Sequence, residues 1–385
     1  MASRSSSSHR VIGYDLARAL AVLGMVVVNT TSIFEVSEFS PAWLEPAVDF
    51  LYGRAAVVFV MLAGVSISLM ARHHPAQADL RMLRRRLLKR SLLLLTAGMV
   101  LWSWWAADIL HFYAVFISAG AWTVTWSQRR LRRWTLAALL ISLPVCATLT
   151  AAYDMSDSGF MNDGALDAAG LLLDYLTSPY YSVFPWVGFF LAGMLLGRRE
   201  PADAVFWRRA CLYGVSGCLA VELFSCAAMA WARRCGWELE SIWWGGFLRS
   251  EAFPASPLFV LSSACSGLAL IALCRSIPLE NRRGFSIVDS LAACGRLSLT
   301  LYVAHIGWGM LIKKWFAGPN TDFDSSKMLL SAAAFGLFGI VFARAWLRRF
   351  QRGPLETLFH WFTHGRRRAL NRIDSGPGAA AVGAP

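Results

Sequence analysis

Ten stretches of this chain each come close to the ~20 mostly apolar residues that a helix needs to cross roughly 30 Å of hydrocarbon. They are 11 to 30, 50 to 71, 91 to 107, 109 to 126, 134 to 152, 180 to 197, 210 to 231, 254 to 274, 288 to 312 and 328 to 347. In lipid a backbone N–H or C=O has no water to bond, so an isolated apolar run of this length has one outcome, the helix. The third and fourth stretches are parted only by Asp108 and form a tight hairpin or one broken element. Composition agrees: 56% of residues are hydrophobic, 16% are charged and the mean hydropathy is +0.48, whereas a soluble domain carries about 25% charged residues. The expected fold is an all-α integral membrane bundle of about ten helices.

The net charge of +13 and pI near 9.8 could signal nucleic acid, but the basic residues lie in short clusters between apolar runs, as membrane topology requires. With the N-terminus inside, inward segments hold 28 of the 37 Lys and Arg and outward loops hold six. Both termini are therefore expected in the cytoplasm, and nucleic acid is set aside as a partner. Residues 1–10 read as a cytoplasmic N-terminus ahead of an uncleaved first span. Residues 11–347 form the membrane domain, 348–364 a cytoplasmic amphipathic segment, and 365–385 a basic, Gly/Ala/Pro-rich tail expected to be disordered or at the lipid surface. The eight cysteines include no C-x-x-C, and the seven histidines show no zinc spacing, so no metal is expected. Walker A, G-x-S-x-G and H-E-x-x-H sequences are also absent.

Ionisable side chains inside a span are costly, and those facing a bundle interior are functional candidates by default. YDLARALAVLGMVVVN places Asp15, Arg18 and Asn29 on the first helix. Arg18 and Asn29 share a face about 16 Å apart along the axis, and Asp15 can pair with Arg18 at i, i+3. This is either an internal ion pair or a polar seam open to the cytoplasm, in which Arg18 grips an anion. Arg54, near the outer end of the second span, either snorkels to headgroups or lines the same cavity as Asn29. Asp108 can orient His111, three residues on, and leave one imidazole nitrogen free as a base; helix capping beside an interfacial histidine is the alternative. Ser298, Tyr302 and His305 fall on one stripe of GRLSLTLYVAHIGWGM, which either bonds neighbouring helices or meets a ligand. Glu222, central in the seventh span, has no evident partner and is either protonated or paired with Arg296. The cluster Arg81, Arg84, Arg85, Arg86, Lys89 and Arg90 either orients the chain or binds phosphates at the inner face.

The segments RVIGYDLARALAVLGMVVVN, YGRAAVVFVMLAGVS, DILHFYAVF, GRLSLTLYVAHIG and RGPLETLFHWFT, in that order, resemble the bacterial YeiB-like membrane family. That family is related to heparan-alpha-glucosaminide N-acetyltransferase and, more distantly, to the acyltransferase-3 membrane proteins. The resemblance runs from Arg10 to about Thr363. It implies a transmembrane acyltransferase-like bundle in a bacterial cytoplasmic membrane, which takes acetyl-CoA or another acyl-CoA from the cytosol and acylates an amine or hydroxyl of an extracytoplasmic sugar or envelope component. Acyltransferase-3 proteins carry Arg, ten residues, then His on the first helix; here Arg18 is kept and Asn29 stands at the histidine position. Relatives of the lysosomal enzyme use a histidine in the following loop, and this chain has none between Thr30 and Phe50. The expected bases are then His111 and His305, with Asn29 lining the passage. Asp15, Arg18, Arg84 and Arg85 would hold the donor, and Arg54, Asp108 and Tyr302 would face the acceptor. A transporter or flippase of a small anionic or glycosidic solute is the second expectation, and a homodimer is left open.

Overall fold

The computed structural model describes residues 11–364, apart from 37, 73–76, 106, 155–174, 177, 179, 200–202, 237–244, 278–286 and 317–322. The expected cytoplasmic N-terminus and the expected disordered tail, 365–385, lie outside the described residues. Fourteen helices account for nearly all of the described chain, which contains no strand. In order they are α1 (Ile12–Phe34), α2 (Leu44–Leu51), α3 (Arg54–Arg72), α4 (Gln77–Trp102), α5 (Leu110–Thr123), α6 (Gln128–Asp154), α7 (Val183–Gly197), α8 (Ala204–Arg234), α9 (Gly245–Leu248), α10 (Pro257–Ser276), α11 (Ile287–Arg296), α12 (Ser298–Phe316), α13 (Ser325–Leu347) and α14 (Pro354–His364).

Every one of the ten apolar stretches carries helix. By length and apolarity, six helical segments among the described residues could each cross a membrane alone, and a seventh if α11 and α12 count together. The ninth stretch differs from expectation, because it breaks at Leu297 and α12 leaves α11 at 85°. Asp108 makes the third and fourth stretches a hairpin, with α4 packed along α5.

Local sequence explains the ends. Asp203, Ser256 and Asp324 cap α8, α10 and α13 by accepting from the N–H groups of Phe206, Phe259 and Lys327, which satisfies donors that a helix start leaves orphaned. α1 stops where Glu35 takes a left-handed conformation, φ 55°, a residue position that ends helices.

Burial separates centre from rim. In α1 and in the span that includes α3, 72% of the apolar window is buried, against 22% in α8 and 33% in α13. α1 is the hub, packed on α3, α10, α11, α12 and α13. Its contact with α11 depends on Gly295, where a Cβ would lie 1.8 Å from the Asp15 carbonyl oxygen; small residues let helices approach where no hydrophobic effect drives them together. Exposed Leu219, Leu223, Leu330, Leu337 and Val341 on α8 and α13 face outward, as a lipid solvent requires.

Candidate functional site

The polar residues of α1 divide into two stations, one near its N-terminus and one near its C-terminus. At the first, Arg18 donates to Asp15 Oδ1 at 2.6 Å and to Ser66 Oγ of α3 at 2.8 Å. At the second, the Asn29 carboxamide nitrogen lies 2.9 Å from His305 Nε2. With the amide donating, Nε2 is the acceptor and Nδ1 carries the ring proton. Nδ1 is buried with no hydrogen-bond partner among the described residues.

Around this pair the bundle gathers three more of the candidates. Tyr302 meets the His305 ring edge-on at 5.2 Å, and its hydroxyl donates to Asp108 Oδ1 at 3.0 Å while accepting from the Ile109 N–H at 3.3 Å. Asp108, fully buried, also accepts from the Leu110 N–H at 2.9 Å. His111 Nδ1 stands 3.6 Å from its other oxygen. Asn29, His305, Tyr302, Asp108 and His111 thus form one buried polar train drawn from α1, α12 and the head of α5. Gly98 of α4 gives that head its place, since a Cβ there would sit 2.3 Å from the His111 nitrogen.

Asn29 faces a cavity of about 40 Å³, whose wall includes Met25, Ser32, Tyr52, Tyr181 and Phe253. Such a volume holds a few waters at most. Ser32 and Tyr52 close one side with a 3.0 Å hydroxyl contact.

The opposite end is basic. A cavity of about 350 Å³ is lined by Ser68, Arg72, Leu80, Thr125 and Arg198, with no acidic residue among the described residues of its wall. Arg84 reaches it by donating to Thr125 Oγ1 at 2.6 Å. Arg72 donates to the Arg199 carbonyl at 3.0 Å, and Arg198 to the Trp126 carbonyl at 2.7 Å and the Val124 carbonyl at 3.4 Å, so backbone carbonyls fix both guanidinium groups at the cavity wall. Burial holds Arg198 below its ordinary pKa, though a guanidinium stays charged. Arg90 lies within electrostatic range of Arg18, and its Nε, the Arg84 Nε and the Tyr14 hydroxyl are buried without a hydrogen-bond partner among the described residues. An anion bearing several acceptor oxygens fits such a surplus of donors. Arg85 lies on the exposed side of α4.

Aromatic rings fill the space between the two stations. Tyr113, in electrostatic range of Arg18 and Arg90, stands 5.4 Å from Phe59, which stacks on Tyr302 at 6.3 Å. The Tyr113 hydroxyl is pinned to the Phe59 carbonyl at 3.0 Å.

Arg54 goes elsewhere. Its guanidinium ion-pairs with Glu222 of α8 and donates to Ser250 and Ser262, each at 3.0 Å, and it lies 4.4 Å over the Phe50 ring. Glu222 therefore has Arg54 as its partner, while Arg296, the candidate read from sequence, donates to the Gln351 carbonyl. Sequence reasoning passed over Tyr52, Tyr181, Arg72 and Arg198 as site residues and read Ser66 only as a small residue for helix packing. The Tyr180-Tyr181 pair and the Arg198-Arg199 pair at span ends were the available signals; for Ser66 there was none beyond a small polar residue on α3.

A family model described as heparan-alpha-glucosaminide N-acetyltransferase, catalytic, matches residues 10–211. A second, described as a protein of unknown function (DUF418), matches residues 198–366. No curated protein matches the chain. The first match holds Asn29, Asp108 and His111, and the second holds Tyr302 and His305, so the polar train is assembled across both. By these matches, which together run from residue 10 to 366, the chain belongs to the YeiB-like membrane family related to heparan-alpha-glucosaminide N-acetyltransferase.

Proposed function

We propose that this protein is a membrane-embedded acyltransferase that draws acyl-CoA, acetyl-CoA first among donors, from the cytosol and acylates an amine or hydroxyl of an extracytoplasmic sugar or envelope component. Its membrane would be the cytoplasmic membrane of a bacterium, crossed about ten times with both termini inside. The observation that carries the reading is the Asn29 to His305 contact, made by an asparagine that lines the 40 Å³ cavity and stands on the same helix as Arg18. A base needs an accessible lone pair near the proton it takes. His305 Nε2 has one, covered by the Asn29 amide, and an acceptor N–H or O–H that displaces the amide would meet it. Tyr302 and Asp108 fix the ring's surroundings, and His111, beside Asp108, would be the second candidate base.

The donor supplies an activated thioester. Arg18, Arg72, Arg84, Arg90 and Arg198 would hold its phosphates; Asp15 would orient Arg18, and Arg85 would add to the field at the mouth. Arg54 would act through the wall, since Gly53, its neighbour, lines the 40 Å³ cavity.

The test is transfer of labelled acetyl from acetyl-CoA to a panel of amino sugars and envelope glycans by the full-length protein in nanodiscs, with His305→Gln beside it. Transfer abolished by the substitution supports the reading. Absence of both transfer and CoA binding in the wild type would sink it.

A further inference from the structure

The motif RGPLETLFHWFT takes no part in the chemistry above, yet its glutamate lands on the helix that bears His305. Because α12 leaves α11 at 85°, the first N–H groups of α12 have no preceding turn to bond. A buried helix start is tolerated only where something else satisfies those groups. Glu356 of α14 does so. Its Oε1 accepts from the Leu299 N–H at 2.8 Å and the Thr300 N–H at 3.1 Å, and its Oε2 accepts from Thr300 Oγ1 at 2.6 Å. A carboxylate at a helix N-terminus also opposes the positive end of the macrodipole.

The strap that presents Glu356 is itself tied down. Arg296 donates to the Gln351 carbonyl at 2.9 Å, Trp346 Nε1 to the Arg352 carbonyl at 2.8 Å, and the Leu355 N–H to Thr300 Oγ1 at 3.1 Å. Gly353 has no room for a side chain, because a Cβ would come within 2.2 Å of Glu356 Oε2. From Thr300 to His305 is five residues, about 7.5 Å along the helix, so a shift at the cap reaches the imidazole undamped.

We infer that Glu356 is a positioning residue, by which the C-terminal helix sets the seat of α12 and hence the meeting of His305 with Asn29. In its catalytic consequence this rests on the acyltransferase reading.

The experiment uses the full chain in nanodiscs with Glu356→Ala, Glu356→Gln and Thr300→Val. Deuterium uptake is followed over peptides from α12 and α13, and kcat and KM are measured for acetyl-CoA. Glu356→Ala should speed exchange in the first turn of α12 while leaving α13 unchanged, and should lower kcat about ten- to hundredfold with KM unchanged, as expected of sub-ångström to ångström misplacement. Glu356→Gln, which keeps an oxygen for the two N–H groups, should restore most of both, and Thr300→Val should show the same changes more weakly. Wild-type exchange at the head of α12 in Glu356→Ala would overturn the inference, as would a raised KM at constant kcat, which would move Glu356 to donor binding. If Glu356→Ala does not fold, Thr300→Val decides by the same readings. A wild type that turns over nothing counts against the acyltransferase reading, and the exchange data still decide the positioning one.

Discussion

Asn29 and His305 stand 276 positions apart in the chain and 2.9 Å apart in space. That contact closes the bundle on itself, because α1 and α12 belong to opposite ends of the chain. Replacing His305 by Gln should lower kcat about 10²- to 10⁴-fold, the usual contribution of a positioned base, with KM for the donor unchanged. Asn29→Ala removes one hydrogen bond and should cost about tenfold. Steady-state transfer assays on both variants check the ranking, and equal losses would count against His305 as the base.

Arg18 should govern donor binding rather than turnover. At a hundredfold excess over Kd, acetyl-CoA should stabilise the wild type by about 2.7 kcal/mol, read as a thermal shift. Arg18→Ala should raise Kd about ten- to hundredfold, the worth of a hydrogen bond to a charged group. Arg18→Lys, which keeps the charge without the fork, should fall between.

Gly98→Ala drives a methyl group into the His111 backbone, 2.3 Å from its nitrogen. Forcing α4 off α5 should destabilise the protein by about 1–3 kcal/mol and slow transfer in the folded fraction. Thermal melts beside specific activity separate the two effects.

Arg54 and Glu222 form a buried pair, with 6% of the arginine side chain exposed and 27% of the glutamate. Arg54→Leu should cost about 3–5 kcal/mol, the range for stranding a buried charge. The double variant with Glu222→Leu should recover most of the loss, since apolar replacement of both partners is often neutral. A double-mutant cycle on melting temperature reads the coupling.

Lys313 donates to Glu35 at 2.8 Å and thereby holds the Glu35 carboxyl below its ordinary value of 4.5. Folding then favours the ionised form, so the contribution is present above that value and is lost as pH falls through the lowered one. The melting temperature of the wild type should exceed that of Glu35→Gln at pH 6, and the gap should close toward pH 3. Both residues are at least a third exposed, so raising salt should also shrink the gap.

Much of this was legible in the residues because lipid leaves few options. Runs of apolar residues fix helices, and Asp108 between two such runs marks a hairpin. Asn29, Asp108, His111, Tyr302 and His305 could each be singled out by the cost of a polar group in a span. Their convergence could not be read, since it depends on how α1 and α12 pack across the whole chain. Arg54 shows the reverse: its cost in the span was visible, but its partner Glu222 lies 168 residues away, beyond any local spacing rule. The break at Leu297 was hidden because Arg296-Leu297-Ser298 contains neither proline nor glycine at the turn itself.

The Tyr113, Phe59 and Tyr302 column described above bears on something other than chemistry. A cell membrane stores energy as a voltage, worth about 2.3 kcal/mol per charge per 100 mV, and any continuous water file through this bundle would drain it. Tyr113 and Tyr302, each anchored through its hydroxyl to the Phe59 carbonyl or to Asp108, and the Phe59 ring packed between them stand between Arg18 and His305, so under the proposed acyl transfer an acyl arm would have to displace rings whose return closes the path to water.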